Sequence, residues 1–159
     1  MRGMSAELHQ IAAKRVGGDR QRYTTMRRQL VDILSDADHP ITIPDILRVD
    51  PALAQSSVYR NLTVLEQAGV ITRVVTNDEW VRFELAEDIG RHHHHHLICE
   101  CCGTVRDVVV PEALEAALDQ SLDRLASTNG FELRQHRLDL VGICADCRDG
   151  RSSALVDGG

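Results

Sequence analysis

Residues 56–85 read SSVYRNLTVLEQAGVITRVVTNDEWVRFEL. Val58, Leu62, Leu65 and Ala68 recur at steps of three and four, the period of a helix with one buried face. Ser56 or Ser57 is the expected cap at its start, because a hydroxyl there accepts from an amide left unpaired by the first turn. Gly69 is the expected stop, since glycine takes the left-handed position after a helix without strain. Two strand-like runs follow, residues 70–76 and 80–85, joined by Asn77-Asp78-Glu79. Working upstream, Thr24 or Thr25 caps a helix carrying Met26, Leu30, Ile33 and Leu34, which ends before His39-Pro40 because proline disfavours helix in the residue before it. A short helix over 43–49 turns Ile43, Ile46 and Leu47 inward and breaks at Asp50-Pro51. The order helix, helix, helix, hairpin is that of a winged helix-turn-helix.

In that arrangement the third helix enters a DNA groove and the hairpin is the wing. Ser57, Tyr59, Arg60, Asn61 and Thr63 are expected on its outward face, with Gln55 and Ser56 at its entry. Arginine suits a guanine edge, and serine and tyrosine hydroxyls suit phosphate. Arg73, on the first wing strand, joins the same candidate surface. Charge agrees locally: residues 1–30 hold seven basic and two acidic side chains. The whole chain of 159 residues carries a net charge of −6, so positive charge is concentrated rather than general. This basic stretch reads as an N-terminal arm, and Arg22 within it is placed to reach phosphate or the minor groove.

The second half has different chemistry. All five cysteines lie at Cys99, Cys101, Cys102, Cys144 and Cys147, and five consecutive histidines run from His92 to His96. An odd cysteine count in two tight clusters fits metal ligation better than disulfides. Cys99-x-x-Cys102-Gly103 and Cys144-x-x-Cys147 are two knuckles able to converge on a tetrahedral four-sulfur site of the kind zinc accepts. Cys101 is left over. A redox reading is disfavoured because neither pair is expected to open a helix. Between the knuckles the pattern predicts a strand over 104–110, a helix over 111–127 with Leu114, Leu118, Leu122 and Leu125 on one face, and one or two strands over 131–143.

If residues 91–98 form a strand, the histidines alternate between faces. His92, His94 and His96 then point one way, and His93 and His95 the other. Glu84 and His39 are the candidates to complete the first site. His136, with Glu115 or Asp119, is the candidate to complete the second. Imidazole and carboxylate together suit zinc, iron, nickel and related divalent ions.

Other classes are excluded by simple features. No apolar run is long enough to span a membrane, and the first ten residues lack a signal-peptide core, which points to a cytoplasmic protein. Only 3% of residues are aromatic, so a small core here calls for a metal or a dimer partner. A hydrolytic metal centre lacks a helical H-E-x-x-H. A metal buffer or chaperone has no use for the third-helix surface.

These stretches together resemble the ferric uptake regulator family of metal-dependent repressors. The resemblance rests on Ser57-Val-Tyr-Arg-Asn-Leu, the run 65–73, Arg82-Phe-Glu-Leu85, the run 92–103 and Gly142-Ile-Cys-Ala-Asp-Cys147. It implies an α+β chain: a winged-helix DNA-binding domain with a basic arm over 1–87, an α/β dimerisation and metal-binding domain over 88–148, and a flexible tail over 149–159. It implies a transcriptional repressor, not an enzyme, that binds a palindromic double-stranded operator as a metal-loaded homodimer. Cys99, Cys102, Cys144 and Cys147 match a structural zinc set. His39, Glu84, His94 and His96 match a regulatory set. His93, His95 and His136 match a third site whose acid is Glu115 or Asp119, left open because the segment between Gly103 and Gly130 is longer than usual. Zinc-uptake members tend to carry an Asp and a Cys around the wing, where this chain has Thr72 and Ala86. That tilts the regulatory ion toward Fe(II), with Zn(II), Mn(II) and Ni(II) as alternatives, and leaves zinc-uptake and peroxide-responsive regulation as neighbouring readings.

Overall fold

The computed structural model describes residues 2–18, 21–76, 80–90 and 94–150. The expected wing turn 77–79, His92, His93 and the tail beyond 150 lie outside the described residues. The order is α1 (Arg2–Gly18), α2 (Thr25–Asp36), β1 (Ile41–Thr42), α3 (Ile43–Val49), α4 (Gln55–Gln67), β2 (Ile71–Val75), β3 (Val81–Leu85), α5 (Glu87–Gly90), β4 (His95–Cys99), β5 (Val105–Val108), α6 (Glu112–Thr128), β6 (Asp139–Gly142) and α7 (Ala145–Arg148). The fold is α+β, with one antiparallel sheet ordered β1-β3-β2 and a second, mixed sheet ordered β5-β4-β6.

The first sheet and the helices before it share one core. Leu30, Val31, Ile46, Val58, Leu62, Leu65, Val70 and Phe83 are buried together. Truncating a fully buried leucine such as Leu62 to alanine costs about 2–5 kcal/mol. Thr24 caps α2 by accepting from the Arg27 amide. Thr42 caps α3 through a reciprocal pair: its hydroxyl accepts from the Asp45 amide, and Asp45 Oδ2 accepts from the Thr42 amide at 2.9 Å. Helix α4 starts earlier than a serine cap predicts, at Gln55, with Ala54 at its N-cap and no side-chain cap. Gly69 ends it with φ +65°.

The expected basic arm is instead a helix over most of its length. Leu8, Ala12 and Val16, spaced one turn apart, are buried against the core. His9 is buried beside them, with Nδ1 2.8 Å from the Tyr23 hydroxyl and Nε2 2.8 Å from Asp32. Arg15 donates to the Gly69 carbonyl and pairs with Asp88, so α1, the end of α4 and the start of α5 are tied at one point.

In the second sheet, β4 pairs antiparallel with β5 through the Cys99–Gly103 turn and parallel with β6 after the α6 crossover. Gly103, at φ +70°, allows the tight return. Among the described residues nothing covers the leucine face of α6: none of its residues is buried, and Leu125 is 62% exposed. On the second sheet, Leu97, Leu140 and Val141, with Ile143 just beyond β6, are exposed as well.

Candidate metal centres and nucleic-acid face

Sheet register builds the first centre. His96 sits on β4 with Asp107 directly opposite on β5 and Asp139 directly opposite on β6. Its Nε2 lies 3.1 Å from Glu84 Oε2, and its Nδ1 lies 3.1 Å from Asp139 Oδ1. His94 Nε2 lies 3.1 Å from the same Glu84 oxygen. Glu84, His94, His96 and Asp107 offer ligand atoms all within 4.8 Å of one another. Glu84 comes from the wing strand β3, so the cluster spans both sheets.

The electrostatics are those of groups sharing protons. Burial works against ionising Glu84, but the two imidazoles outweigh it and hold its pKa below the usual value. Burial likewise opposes charge on His96, but Glu84, Asp139 and Asp107 outweigh it and raise its pKa. Burial pushes the Asp107 carboxyl up. Such a set exchanges protons for a divalent cation readily.

His39 is not in this cluster. It pairs with Asp38 on the exposed loop before β1. It lines a cleft of about 480 Å³ that Asp107 also lines. Asp107, which sequence reasoning missed, stands in the cluster instead. A hairpin folded on the Cys99–Gly103 turn puts 107 opposite 96, so the signal was the turn rather than any motif.

The second centre lies on the other face of β4. His95, only 1% exposed, places Nε2 2.8 Å from Glu115 Oε2. His136 Nε2 lies 3.0 Å from Glu115 Oε1, and its Nδ1 lies 3.2 Å from Asp119. His95, Glu115 and His136 bring ligand atoms within 4.8 Å of one another, while Asp119 stands behind His136. His93 lies outside the described residues.

The third centre joins the ends of β4 and β6. Cys99, Cys102, Cys144 and Cys147 cluster, with Sγ separations of 3.8 Å for Cys99–Cys147 and 3.8 Å for Cys102–Cys144. A tetrahedral zinc thiolate with bonds of about 2.3 Å has sulfur–sulfur edges of about 3.8 Å. The donor set and spacing therefore fit. Backbone amides of Cys144 and Cys102 push the Cys99 thiol down to about 6, favouring the thiolate a metal needs. Cys101 is exposed and outside the set. One expectation fails: Cys144 does open a helix, as N-cap of α7, but that helix has only four residues.

On α4, Gln55, Ser56, Tyr59 and Arg60 line one open surface groove with Ile43. Tyr59 is 57% exposed. Ser57 is half-buried, and Asn61, expected outward, turns inward to donate to the Ser57 carbonyl at 2.8 Å. Asn61 also accepts from Arg27 Nε at 3.0 Å. The same buried guanidinium donates to the Arg22 carbonyl and, at 3.4 Å, to Gln21. Arg27 thus ties the segment bearing Arg22 to α4, a role nothing in the sequence pattern announced. Arg73 is engaged within the chain, donating to Glu66 at 2.8 Å and lying over the Phe83 ring.

Comparison with known proteins decides the relationship. The model of the ferric uptake regulator family matches residues 19–141. The chain belongs to that family. It is 34% identical over 133 residues to a ferric uptake regulation protein of Bordetella parapertussis, covering 80% of this chain and 90% of the relative. It is 31% identical over 144 residues to the peroxide-responsive repressor PerR of Staphylococcus aureus, covering 87% and 89%. The solved ferric uptake regulator of Helicobacter pylori shares the fold, with a TM-score of 0.69 at 21% identity over 91% of this chain and 93% of that one. Membership of the ferric uptake regulator family, which is made of transcription regulators, makes the chain a metal-responsive regulator. Among the described residues, no helix is long and apolar enough to cross a membrane.

Proposed function

We propose that the chain is a transcriptional repressor that binds a palindromic DNA operator as a homodimer when loaded with a divalent metal, with Fe(II) favoured. The observation that carries this reading is Glu84 of the wing hairpin meeting His94, His96 and Asp107 of the second sheet. A cation bound there supplies positive charge that holds all four ligands together. Glu84 and the imidazoles then fix the wing, and with it α4, against the second sheet. Two copies held in this way present two α4 helices at one separation, as half-site recognition requires. Moving such a balance from 1:99 to 99:1 takes about 5.5 kcal/mol of preference for the DNA-competent form.

The remaining parts have supporting roles. Cys99, Cys102, Cys144 and Cys147 hold a structural zinc that closes the second sheet. His95, Glu115 and His136, with Asp119 behind them, hold a further cation. The uncovered leucine face of α6 and the exposed apolar side chains of β6 form the dimer surface. Gln55, Ser56, Tyr59 and Arg60 read the operator, with Ser57 at the edge and Arg22 on phosphate. Arg73 contributes by bracing Glu66 of α4 rather than by direct contact. His39 lines the same cleft as Asp107 and joins the first centre only if its loop moves. A peroxide-responsive role is the second reading, favoured by the 31% identity to PerR.

The test is selection of duplexes from a random-sequence DNA pool by zinc-replete protein, with and without added Fe(II), Mn(II), Zn(II) or Ni(II). Enrichment of a palindrome only with metal supports the proposal. Recovery of no sequence under any metal overturns it.

A further inference from the structure

Asp139 and Arg137 lie outside the proposed ligand sets, yet they connect one of them to the wing. Asp139 Oδ1 is 3.1 Å from His96 Nδ1, the nitrogen turned away from Glu84. Arg137 Nη2 lies 3.7 Å from the same Asp139 oxygen. Arg137 Nη1 donates to the Arg73 carbonyl at 3.2 Å. β2 is an edge strand of the first sheet, so its outward carbonyls have no strand to accept from. Arg73 pairs with Phe83 across the hairpin, one position from the Thr72–Glu84 pair. The wing is therefore gripped at two adjacent places: at Glu84 by His96 of the second sheet, and at the Arg73 carbonyl by Arg137 of the segment that leads into β6. Asp139 touches both grips.

We propose that Asp139 and Arg137 are positioning residues that pass the state of the His96 imidazole to the wing. This rests on the reading of Glu84, His94, His96 and Asp107 as the regulatory site. With a metal bound beside Glu84, Asp139 would accept the Nδ1 proton of His96 and so leave the Nε2 lone pair to hold the ion, the role a carboxylate takes behind a metal-binding histidine. Arg137 carries the position of Asp139 to β2. A contiguous chain of this kind is a physical route for coupling, and its test is the coupling itself.

The experiment uses full-length, zinc-replete protein titrated with Mn(II). Hydrogen exchange is followed in residues 71–75 and 81–85, and DNA affinity is followed on a duplex selected by the wild type. In the wild type, Mn(II) is expected to slow exchange in both strands. Arg137→Ala is expected to leave the Mn(II) concentration for half-effect at residues 81–85 unchanged. It is expected to cut the metal-dependent gain in DNA affinity, and the slowing at residues 71–75, by about 2- to 30-fold. Arg137→Lys, which keeps a donor, should recover part of both. Asp139→Asn should raise the Mn(II) requirement by about 10- to 100-fold. A wild type that responds to Mn(II) while Arg137→Ala and Asp139→Asn respond identically overturns the relay and leaves the regulatory reading standing. A wild type whose wing does not respond to Mn(II) overturns both.

Discussion

Glu84 Oε2 lies 3.1 Å from His96 Nε2, and the two residues belong to different sheets. One carboxylate thus joins the second sheet to the wing strand. A second histidine, His94, reaches the same oxygen, so the junction rests on three side chains before any cation is added. Charge at this point therefore sets how firmly the wing is held.

His94→Ala or His96→Ala is expected to abolish metal-dependent DNA binding while leaving the dimer and one bound zinc in place. His136→Ala, on the opposite face of β4, is expected to weaken the response without abolishing it. Native mass spectrometry and DNA titration check both. Equal loss in the two classes would contradict the two-face assignment.

Cys144→Ser is expected to give zinc-free protein that aggregates or fails to dimerise. Structural zinc in small peptides contributes about 10–16 kcal/mol of apparent binding free energy at neutral pH. Cys101→Ser should leave zinc content and thermal stability unchanged, because that thiol is exposed and outside the cluster. Zinc analysis with size-exclusion chromatography decides the matter, and a folded, dimeric, zinc-free Cys144→Ser protein would remove the structural role.

Arg60→Ala is expected to cost about 1–3 kcal/mol per half-site and to relax preference at one operator position. Arg22→Ala should weaken all sequences alike and lower the salt slope by about one for each phosphate it reaches. Arg27→Lys cannot serve Asn61, Gln21 and the Arg22 carbonyl together, so it should also weaken DNA binding. Because it acts through Arg22, its effect and that of Arg22→Ala should fall short of additive in a double-mutant cycle. Full additivity would show that Arg27 does not hold Arg22 in place.

Burial opposes ionisation of Asp45, but the Thr42 hydroxyl and amide and the Arg48 guanidinium outweigh it and hold its pKa below the usual aspartate value. A depressed folded pKa gives stability that is complete above the unfolded value, about 3.9, and is lost as the pH falls through the folded one. The stability gap between wild type and Asp45→Asn should therefore stay constant between about pH 5 and 8. Thr42→Ala should cost about 1 kcal/mol. Thermal unfolding measures both, and a gap that grows or shrinks across that range would count against the capping-box account.

Local periodicity and turn chemistry made much of this legible. The steps from Val58 to Leu65 located α4, Gly69 its end, and alternation in the histidine run separated His95 from His96. What stayed hidden depends on partners distant in sequence. Asp107 and Asp139 flank His96 only through strand register. Asn61 sits on a polar face by helical count but turns inward because Arg27 is buried beneath it. Helix α1 hides behind its charge, because its buried stripe is one residue per turn, with small Ala12 in the middle. His39 carries the right chemistry, but its loop holds it against Asp38, away from Glu84.

The central claim is that occupancy of the Glu84–His94–His96–Asp107 centre controls DNA binding. Fluorescence anisotropy of a labelled duplex, one enriched by the wild-type protein, tests it with zinc-replete wild type titrated in the presence and absence of Fe(II) or Mn(II). The account predicts that metal tightens binding by roughly 5- to 150-fold, the range typical of coupled sites. Equal affinity with and without the regulatory metal, in protein that retains its zinc and its dimer, would contradict it.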